Sequence, residues 1–455
     1  MTRGDDVTVA GDASESPIVP VPDRVILRIV CAYAAAFVVF GFIVDGPDSV
    51  LCGLVAIVTT RDALLTDYFG IGGIGAACVN AGLLTLCACL VYHHTHAKMT
   101  GATVACLFLV LGFGLFGKNM LNIWSIVAGV WLYARFRGEP FSTHLNTAFF
   151  GAALAPVFSE ILFSTTLALE FRVPLAVVTS LVIGFILAPV AAQLFKAHMG
   201  FSLYNMGFTA GIVGTLVVAA YKSFGFVADP VMIWTTGNNR LLGGFLAALF
   251  VSMVAIGYGF DRAPLGRIRR IMNSTGQAPS DFIALAGFGP TLANMGLTGA
   301  IGTIYVLLIG GDLNGPVIGA ILTIVGFAAF GKHPGNIVPI MAGVFIGSLF
   351  KSWGAADPSI VLAALFGTTL APIAGRFGWH WGIAAGIVHS SAATSVGALH
   401  AGLNLYNNGF AAGIVAAVLV PVIIAIRERR SKLYEKPAEP TEPPDPPRQR
   451  ANPDL

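Results

Sequence analysis

Two ionisable residues lie within apolar stretches that are related to each other. Glu160 lies within LAPVFSEILFSTTLAL, and Arg376 occupies the equivalent place in LAPIAGRFGW, in the second half of the chain. An ionisable side chain inside a bilayer costs about 3 kcal/mol or more, so it rarely persists there without a purpose. We expect Glu160 to bind a proton, Na⁺ or a cationic group, and Arg376 to bind an anionic group. The two either pair with each other or frame a polar cavity; the alternative is a helix-end pair at the membrane interface.

Amide and phenol side chains recur in pairs along the chain. These pairs are Tyr204-Asn205 with Tyr406-Asn407, Asn80 with Asn294, and Asn122 with Asn336. Each Tyr-Asn element precedes Gly-Phe, which suggests a helix break whose free backbone groups meet a polar solute. Hydrogen bonding between helices is the commoner role for any single Asn pair. Both roles are open at this point.

Two lysines occur in Phe-Gly-Lys turns between apolar stretches. Lys118 and Lys332 occupy equivalent positions in two similar runs, one in each half of the chain. If the two halves are inverted, the lysines face opposite sides of the membrane, so each is expected to guard one vestibule. Ordinary snorkelling of a helix-terminal lysine to the interface is the alternative.

The stretch 389–395, HSSAATS, is the most polar run in the second half of the apolar chain. Its candidate ligands for a solute are His389, Ser390, Ser391, Thr394 and Ser395. The interval from Pro372 to Tyr406 is shorter than the equivalent interval from Pro156 to Tyr204 in the first half. This shortening predicts a discontinuous or re-entrant element. Hydrogen bonds from Ser and Thr to their own helix backbone are the commoner alternative.

Composition decides which class of protein must position these residues. Of 455 residues, 56% are hydrophobic and 11% are charged, and the mean hydropathy is +0.79. Soluble domains carry about 25% charged residues, so soluble enzymes, disordered chains and nucleic-acid binders are excluded. The expected partners are the lipid bilayer and a small-molecule or ionic substrate, with no nucleic acid. Homo-oligomers are common among such proteins, and the sequence selects no number of copies.

The chain contains an internal duplication. Residues 112–130 match 326–344 at 11 of 19 positions, and residues 203–213 match 405–415 at 9 of 11. The matching runs occur in the same order in the two halves. Composition bias does not place Phe-Gly-Lys and Tyr-Asn in register, so the two halves are copies of one unit.

Each copy is expected to hold about seven membrane segments, because a bilayer core of about 30 Å needs about 20 apolar residues per helix. The segments are 24–44, 68–92, 99–116, 120–135, 144–168, 173–196 and 200–222, then 240–260, 282–309, 315–331, 335–350, 360–378, 382–399 and 402–426. Several are short or interrupted by Gly and Pro, so some are expected to be half-helices or re-entrant hairpins. The predicted fold is all-α and polytopic. It has a polar N-terminal tail (1–22), repeat 1 (23–222), a linker (223–237), repeat 2 (238–426) and a disordered cytoplasmic tail (427–455).

Charge indicates that the two copies are inverted. Segment 261–281 carries four Arg and two Asp, whereas the equivalent segment 45–67 carries one Arg and four Asp. Because Lys and Arg accumulate in cytoplasmic loops, we expect these segments on opposite faces of the cytoplasmic membrane. Both termini are then cytoplasmic. Inverted repeats with a site near the midplane are typical of transporters.

No metal site or cofactor is expected. The run Thr100-Gly101-Ala102-Thr103 is similar to the Thr-Gly-Ala-Thr motif that carries covalent flavin in subunits of sodium-pumping quinone oxidoreductases. The acidic residue that precedes that motif is missing here, so we do not expect a flavin on Thr103. No nucleophile, base and acid occur at a convincing catalytic spacing either, so we do not expect an enzyme.

The paired Phe-Gly-Lys…Asn-Ile…Ala-Gly-Val and Tyr-Asn-Xaa-Gly-Phe elements resemble an uncharacterised family of bacterial multi-pass membrane proteins, a domain of unknown function, over nearly all of 24–426. A fainter similarity is to urea transporters, which are also inverted repeats with an Asn-Gly element opening a helix in each half. Residues 204–213, 406–415 and the run Asn294-Met295-Gly296-Leu297-Thr298-Gly299 carry that similarity. It implies a pore-like path for small polar solutes.

We therefore expect a transporter that moves a small polar or charged solute between two inverted repeats, coupled to H⁺ or Na⁺ through Glu160. A passive urea-type channel is the first alternative, in which neutral groups alone line the path. A membrane subunit of a redox complex is the second, and a flavin on Thr103 would distinguish it.

Overall fold

The architecture consists of helices arranged as two related sets. The computed structural model describes residues 18, 20–62, 65–163, 167–225, 232–260 and 264–434. The first-half helices are α1 (Asp23–Thr59), α2 (Tyr68–His94), α3 (Gly101–Phe113), α4 (Trp124–Arg137), α5 (Leu145–Gly151), α6 (Ala155–Leu162), α7 (Leu169–His198) and α8 (Asn205–Ser223). The second-half helices are α9 (Asn239–Phe260), α10 (Pro264–Asn273), α11 (Phe282–Ala286), α12 (Phe288–Leu308), α13 (Gly315–Phe327), α14 (Pro334–Ser348), α15 (Pro358–Gly367), α16 (Ala371–Phe377), α17 (Trp379–Val396) and α18 (Asn407–Tyr434).

Ten helical segments of the described chain are long and apolar enough to cross a membrane. The segments Leu145–Leu162 and Pro358–Phe377 each combine two short helices. With the shorter helices α3, α4, α13 and α14, each half has seven segments close to those predicted. The protein is an all-α polytopic membrane protein, as expected from the sequence.

Two boundaries differ from the prediction. The segment 45–67 is not a loop throughout, because α1 continues through a kink at Gly46 (φ 73°) and Pro47 to Thr59. Its apolar second part packs closely on α2, where a side chain at Gly53 would overlap the Gly72 carbonyl. The predicted disordered tail also begins too early, since α18 runs to Tyr434. The rest of that tail lies outside the described residues, as do residues 1–17.

The linker 223–237, of which 226–231 lie outside the described residues, contains a short strand. Strand β2 (Met232–Ile233) pairs in parallel with β1 (Leu65–Thr66). Beside this pair, the Asp67 carboxylate accepts hydrogen bonds from the amides of Phe69 (3.0 Å) and Gly315 (3.1 Å). Asp67 therefore caps α2 and also joins the two halves at the start of α13.

The centre of the molecule is the contact between α3 and α13. A side chain at Gly112, late in α3, would lie 2.7 Å from the Gly319 carbonyl early in α13. At the other end, a side chain at Gly326 would lie 3.0 Å from the Ala105 carbonyl. Equivalent helices thus cross antiparallel, which places the pseudo-two-fold axis perpendicular to them. The two halves are inverted repeats, the arrangement that the charge pattern predicted.

Both central helices are too short to span a bilayer. Thirteen residues rise about 20 Å at 1.5 Å per residue, against a hydrocarbon core of about 30 Å. Every residue of α13 is buried, and all but one of α3. Each helix therefore ends inside the protein, where its last carbonyl groups need partners from the protein itself.

Candidate functional site

Two asparagines supply hydrogen-bond partners for the carbonyl groups at the ends of α3 and α13. Asn80 Nδ2 donates to the carbonyls of Gly114 (2.7 Å) and Lys118 (2.9 Å), after the end of α3. Asn294 Nδ2 repeats this after α13, with Ala328 and Lys332 both at 2.8 Å. Since both amide donors are used for backbone groups, Asn80 and Asn294 hold the Phe-Gly-Lys turns in place.

The turns carry their lysines into the interior. Lys118 and Lys332 are both fully buried, so the expectation that each guards an exposed vestibule is wrong, and snorkelling is excluded with it. The physical reason is the shortness of α3 and α13, which end in mid-protein rather than at the membrane surface. Among the described residues, neither ammonium group has an acidic partner within 4 Å.

Each lysine reaches a tyrosine of the other repeat. Lys118 Nζ donates to the hydroxyl of Tyr406 at 2.6 Å and to the Phe149 carbonyl at 3.2 Å. Reciprocally, Lys332 Nζ donates to the hydroxyl of Tyr204, and to Thr368 Oγ1 at 2.7 Å. The ammonium groups also lie 4.9 Å and 4.5 Å from the centres of the Tyr406 and Tyr204 rings, within cation–π range. The two pairs join the repeats around the pseudo-two-fold axis.

The two tyrosines line a cavity of about 230 Å³. Its wall is mainly apolar, with the aromatic rings of Phe113, Phe327 and Phe366 beside the tyrosines. Polar groups are interspersed among these rings. They belong to Asn146, Thr147, Ser202, Asn205, Thr323 and Asn408. The cavity can hold a small molecule that is partly polar.

A second cavity, of about 150 Å³, lies at the equivalent place in the other half. Phe116, Ala393 and Asn407 line it where their equivalents Phe330, Ala191 and Asn205 line the larger one. Ala278 borders the larger cavity and Leu65 the smaller. Ala278 lies in the α10–α11 connection and Leu65 in the α1–α2 connection, and the pseudo-axis relates these two connections. The cavities therefore lie towards opposite ends of the molecule. Phe366, Leu405 and Asn408 line both and separate them.

The two Tyr-Asn asparagines are largely occupied by protein contacts. Asn205 Nδ2 donates to the Ala191 carbonyl (3.0 Å), and its Oδ1 lies 3.0 Å from His198 Nε2. Asn407 repeats both contacts with Ala393 (2.8 Å) and His400 (3.0 Å). The role that the sequence favoured for a single pair, hydrogen bonding between elements, is therefore their structural role. The asparagines border the cavities and hold the adjoining tyrosines in position.

Glu160 and Arg376 do not pair with each other, so that hypothesis is wrong. Glu160 is buried and forms two hydrogen bonds with Arg61, Nη2 to Oε1 at 2.7 Å and Nε to Oε2 at 3.0 Å. Arg376 is exposed near the end of α16. Neither borders the two cavities. Equivalent positions of inverted repeats meet only near the axis, and these two lie away from it.

A buried carboxylate that sequence reasoning missed lies beside this ion pair. Asp62 is fully buried and accepts hydrogen bonds from four side chains. The donors are Tyr68 Oη (2.7 Å), Ser159 Oγ (2.7 Å), Asn122 Nδ2 (2.9 Å) and Asn119 Nδ2 (3.3 Å). Its sequence signal is an acid present in one copy only, since the equivalent residue is Gly276.

Asn122 and Asn336 thus differ in role despite their equivalence. Asn122 Nδ2 also donates to the Gly117 carbonyl at 3.0 Å, besides its bond to Asp62. Asn336 Nδ2 donates to the equivalent Gly331 carbonyl at 2.9 Å, and its Oδ1 accepts from the amide of His333. Both brace the turn that carries the lysine, and Asn122 alone contacts a carboxylate.

Comparison with protein families supports the duplicated architecture. A family profile described as a protein of unknown function, DUF1576, matches residues 46–223 and 261–425. The chain belongs to the DUF1576 family. This confirms the expected membership of an uncharacterised family, and the two matched regions correspond to the two repeats. No curated protein and no solved structure matches the chain.

The polar run of this DUF1576 protein lies in one unbroken helix, so the predicted discontinuity is wrong. Helix α16 ends at Phe377 and α17 begins at Trp379, with Gly378 (φ 104°) as the whole turn between them. A one-residue turn followed by a shorter helix accounts for the shortened spacing. Ser391 is exposed, and Ser395 and Thr394 donate back to their own helix.

Two residues of the same run make longer-range contacts in the DUF1576 fold. His389 is buried, with Nε2 3.2 Å from Asn408 Oδ1, and Asn408 lines both cavities. Ser390 Oγ accepts from Lys351 Nζ at 2.7 Å. Thr394 itself borders the smaller cavity. Of the predicted solute ligands in this run, Thr394 is therefore the one that faces a cavity, and His389 contacts the layer between the two.

The Thr-Gly-Ala-Thr run begins α3 of the DUF1576 protein. Thr100 caps the helix, and the Thr103 hydroxyl is buried and donates to the Lys98 carbonyl at 2.9 Å. In the part of the chain that the structure describes, no group of three His, Cys, Asp or Glu side chains is arranged to hold a metal ion.

Proposed function

We propose that the protein is a transporter that carries a small anionic solute between the two cavities. The observation that carries the proposal is the pair of inverted, unequal cavities on either side of a thin layer formed by Phe366, Leu405 and Asn408, with a buried lysine behind each tyrosine of the larger cavity. In inverted-repeat transporters, exchange of the two repeat conformations opens one side while closing the other. The volumes of about 230 Å³ and 150 Å³ match a state in which the Ala278 side is the wider.

The charge of the solute follows from the two lysines. A buried ammonium group needs a compensating charge or strong hydrogen bonds, and Lys118 and Lys332 have only neutral acceptors among the described residues. Because each lysine donates to a tyrosine oxygen, the tyrosine proton is free to be donated to a solute. A hydrogen bond polarised in this way favours an anionic acceptor.

The membrane and its sides belong to the same proposal. The described parts of the basic segment 261–281 and of the acidic segment 45–67 belong to opposite ends of the inverted structure, which supports a cytoplasmic position for the basic end and for both termini. Cysteines introduced at Asp48 and Asn273, both exposed, should react from opposite sides with a membrane-impermeant maleimide in the Cys52→Ser background.

Binding and uptake by the purified protein test the solute. The anion probes are the sodium salts of nitrate, phosphate, lactate and malonate, and urea and glycerol are the neutral probes. We expect at least one anion to raise the melting temperature and to enter proteoliposomes in radiolabelled form. Lys332→Met should lose both effects, and Lys196→Met, at an exposed site on α7, should keep them.

Two results would overturn this proposal. One is that none of the anions binds or enters. The other is that urea enters at a rate that Lys332→Met leaves unchanged, which would favour the urea-type channel.

A further inference from the structure

The Asp62 carboxyl group is buried and is held by neutral hydrogen-bond donors. Among the described residues, no Lys or Arg forms an ion pair with it, because Arg61 pairs with Glu160. Four hydrogen bonds from neutral donors hold the carboxylate instead. Since burial strongly disfavours a charged carboxylate and donors favour it, such a group lies close to balance between its two protonation states.

The donors around Asp62 suit a proton better than a metal cation. Asn119 and Asn122 direct their NH₂ groups at the carboxylate, and their carbonyl oxygens accept backbone amides of the α3–α4 connection. A metal cation would need those oxygens to face it. The hydroxyls of Tyr68 and Ser159 can each reverse direction and accept a hydrogen bond from a neutral Asp62. The shell can therefore satisfy both the charged and the neutral carboxyl group.

Asp62 is connected to the cavity through one short segment. Asn119 and Asn122, which donate to Asp62, lie one and four residues after Lys118, which donates to the cavity tyrosine Tyr406. A change in the hydrogen bonds of Asp62 would therefore shift this segment and change the position of Lys118. In the second repeat the equivalent segment carries Lys332 but faces Gly276, which has no side chain to titrate.

We propose that Asp62 is the proton-binding site that couples proton movement to the solute cavity. The inference rests on the proposed transport function. A proton binds to one carboxylate oxygen and is released from the same oxygen, and the hydroxyl facing that oxygen, Tyr68 at Oδ1 or Ser159 at Oδ2, reorients to accept its hydrogen bond. This assignment replaces Glu160, whose carboxylate is already neutralised by Arg61.

The environment of Asp62 supports this role. Asp62 lies in the connection between α1 and α2, outside both helices, and burial raises the pKa of its carboxyl group to about 7, opposed by the hydrogen bonds from Ser159, Tyr68 and Asn122. The charged and titratable groups around it are Tyr68 on α2, Glu160 on α6 and the neighbouring Arg61. The α3–α4 connection contributes the two neutral amides of Asn119 and Asn122, and also Lys118, the residue before Asn119.

Infrared spectroscopy of the purified full-length protein tests the site without knowledge of the solute. We expect a protonated-carboxyl band that titrates with a midpoint near pH 7, and complete loss of that band in Asp62→Asn. Glu160→Gln should keep the band. A band that persists in Asp62→Asn, or that Glu160→Gln removes, would overturn the assignment. If Asp62→Asn does not fold, Ser159→Ala decides: loss of one donor should raise the midpoint by about one pH unit, and an unchanged midpoint would contradict the proposal.

Transport separates this inference from the proposed function. Proteoliposomes loaded with a pH-sensitive dye receive inward gradients of nitrate, phosphate, lactate and malonate in turn. The wild type should acidify with at least one anion, and Asp62→Asn should lose the acidification at least tenfold. A titrating band without uptake of any of the anions leaves the proton site in place and removes the transport proposal. Anion uptake by the wild type without acidification keeps the transport proposal and removes the proposal that Asp62 couples proton movement to the solute.

Discussion

The surroundings of Asp62 in the first repeat and of Gly276 in the second share one ancestry but not one chemistry. Asp62, Tyr68 and Ser159 form a hydrogen-bonded cluster, and their equivalents are Gly276, Phe282 and Gly375. The second repeat lacks the acid and both hydroxyls. Its segment closes through backbone contacts instead, because a side chain at Gly276 would overlap the Gly331 carbonyl.

This difference distinguishes the contacts that the fold requires, which both repeats have, from the Asp62 cluster, which only the first repeat has. The elements common to both repeats are the Asn80 and Asn294 contacts, the paired Lys–Tyr bonds and the Asn–His bonds, so these position the central turns. The second repeat builds the same turn without an acid, so the Asp62 cluster is not required by this fold. A buried carboxylate that is kept in one copy alone is therefore a candidate for a functional role.

The largest expected loss of stability comes from adding a side chain at Gly276. Its φ of +69° is unfavourable for any side chain, and a Cβ there would also displace the Gly331 carbonyl. We expect Gly276→Ala to destabilise the protein by about 3 kcal/mol or more, measured as the loss of melting temperature in detergent. Gly310→Ala is the matched control, with φ +74° and open space around it, and should cost about 1 kcal/mol. Equal losses for the two would show that the second repeat has room for a side chain at this position.

An intermediate loss of stability is expected at Glu160, and almost none at its equivalent Arg376. The two variants compared are Arg61→Met, which removes the partner of Glu160, and Arg376→Met. Arg61→Met leaves Glu160 buried without its partner. Arg61 is itself partly exposed, so water relieves some of the cost, and we expect about 2 kcal/mol of destabilisation. Arg376→Met, at an exposed position, should change stability by less than about 0.5 kcal/mol. Comparable losses of melting temperature would mean that Arg376 has a structural partner in the folded protein.

The sequence predicts the frame of this molecule well. Apolar length and the duplicated runs at 112–130 and 326–344 locate seven segments in each half, and the loop charges predict their inversion. Both signals are local or repeated, and they depend on the membrane thickness and on charge placement. They do not depend on which side chains meet in space.

The site was predicted less accurately, for two physical reasons. Lys118 and Lys332 each follow an apolar stretch. If that stretch is assumed to span the membrane, the lysine after it is expected at the membrane surface. The shortness of the 13-residue helices α3 and α13 is the signal that could have placed them at the centre. Symmetry alone pairs Glu160 with Arg376, whereas its partner Arg61 is distant in the chain, with no sequence pattern to link them.

The smallest expected difference between two variants tests where the two repeats are alike. Asn80→Ala and Asn294→Ala each remove two hydrogen bonds to buried carbonyls at the end of a central helix. An unsatisfied buried acceptor costs about 1–3 kcal/mol, so each variant should lose about 2 kcal/mol. The two losses should agree within about 0.5 kcal/mol, and Asn273→Ala, exposed at the end of α10, should have no effect. A clear inequality would show that the repeats differ at their helix ends as well as at Asp62, and the asymmetry could then no longer be assigned to one functional carboxylate.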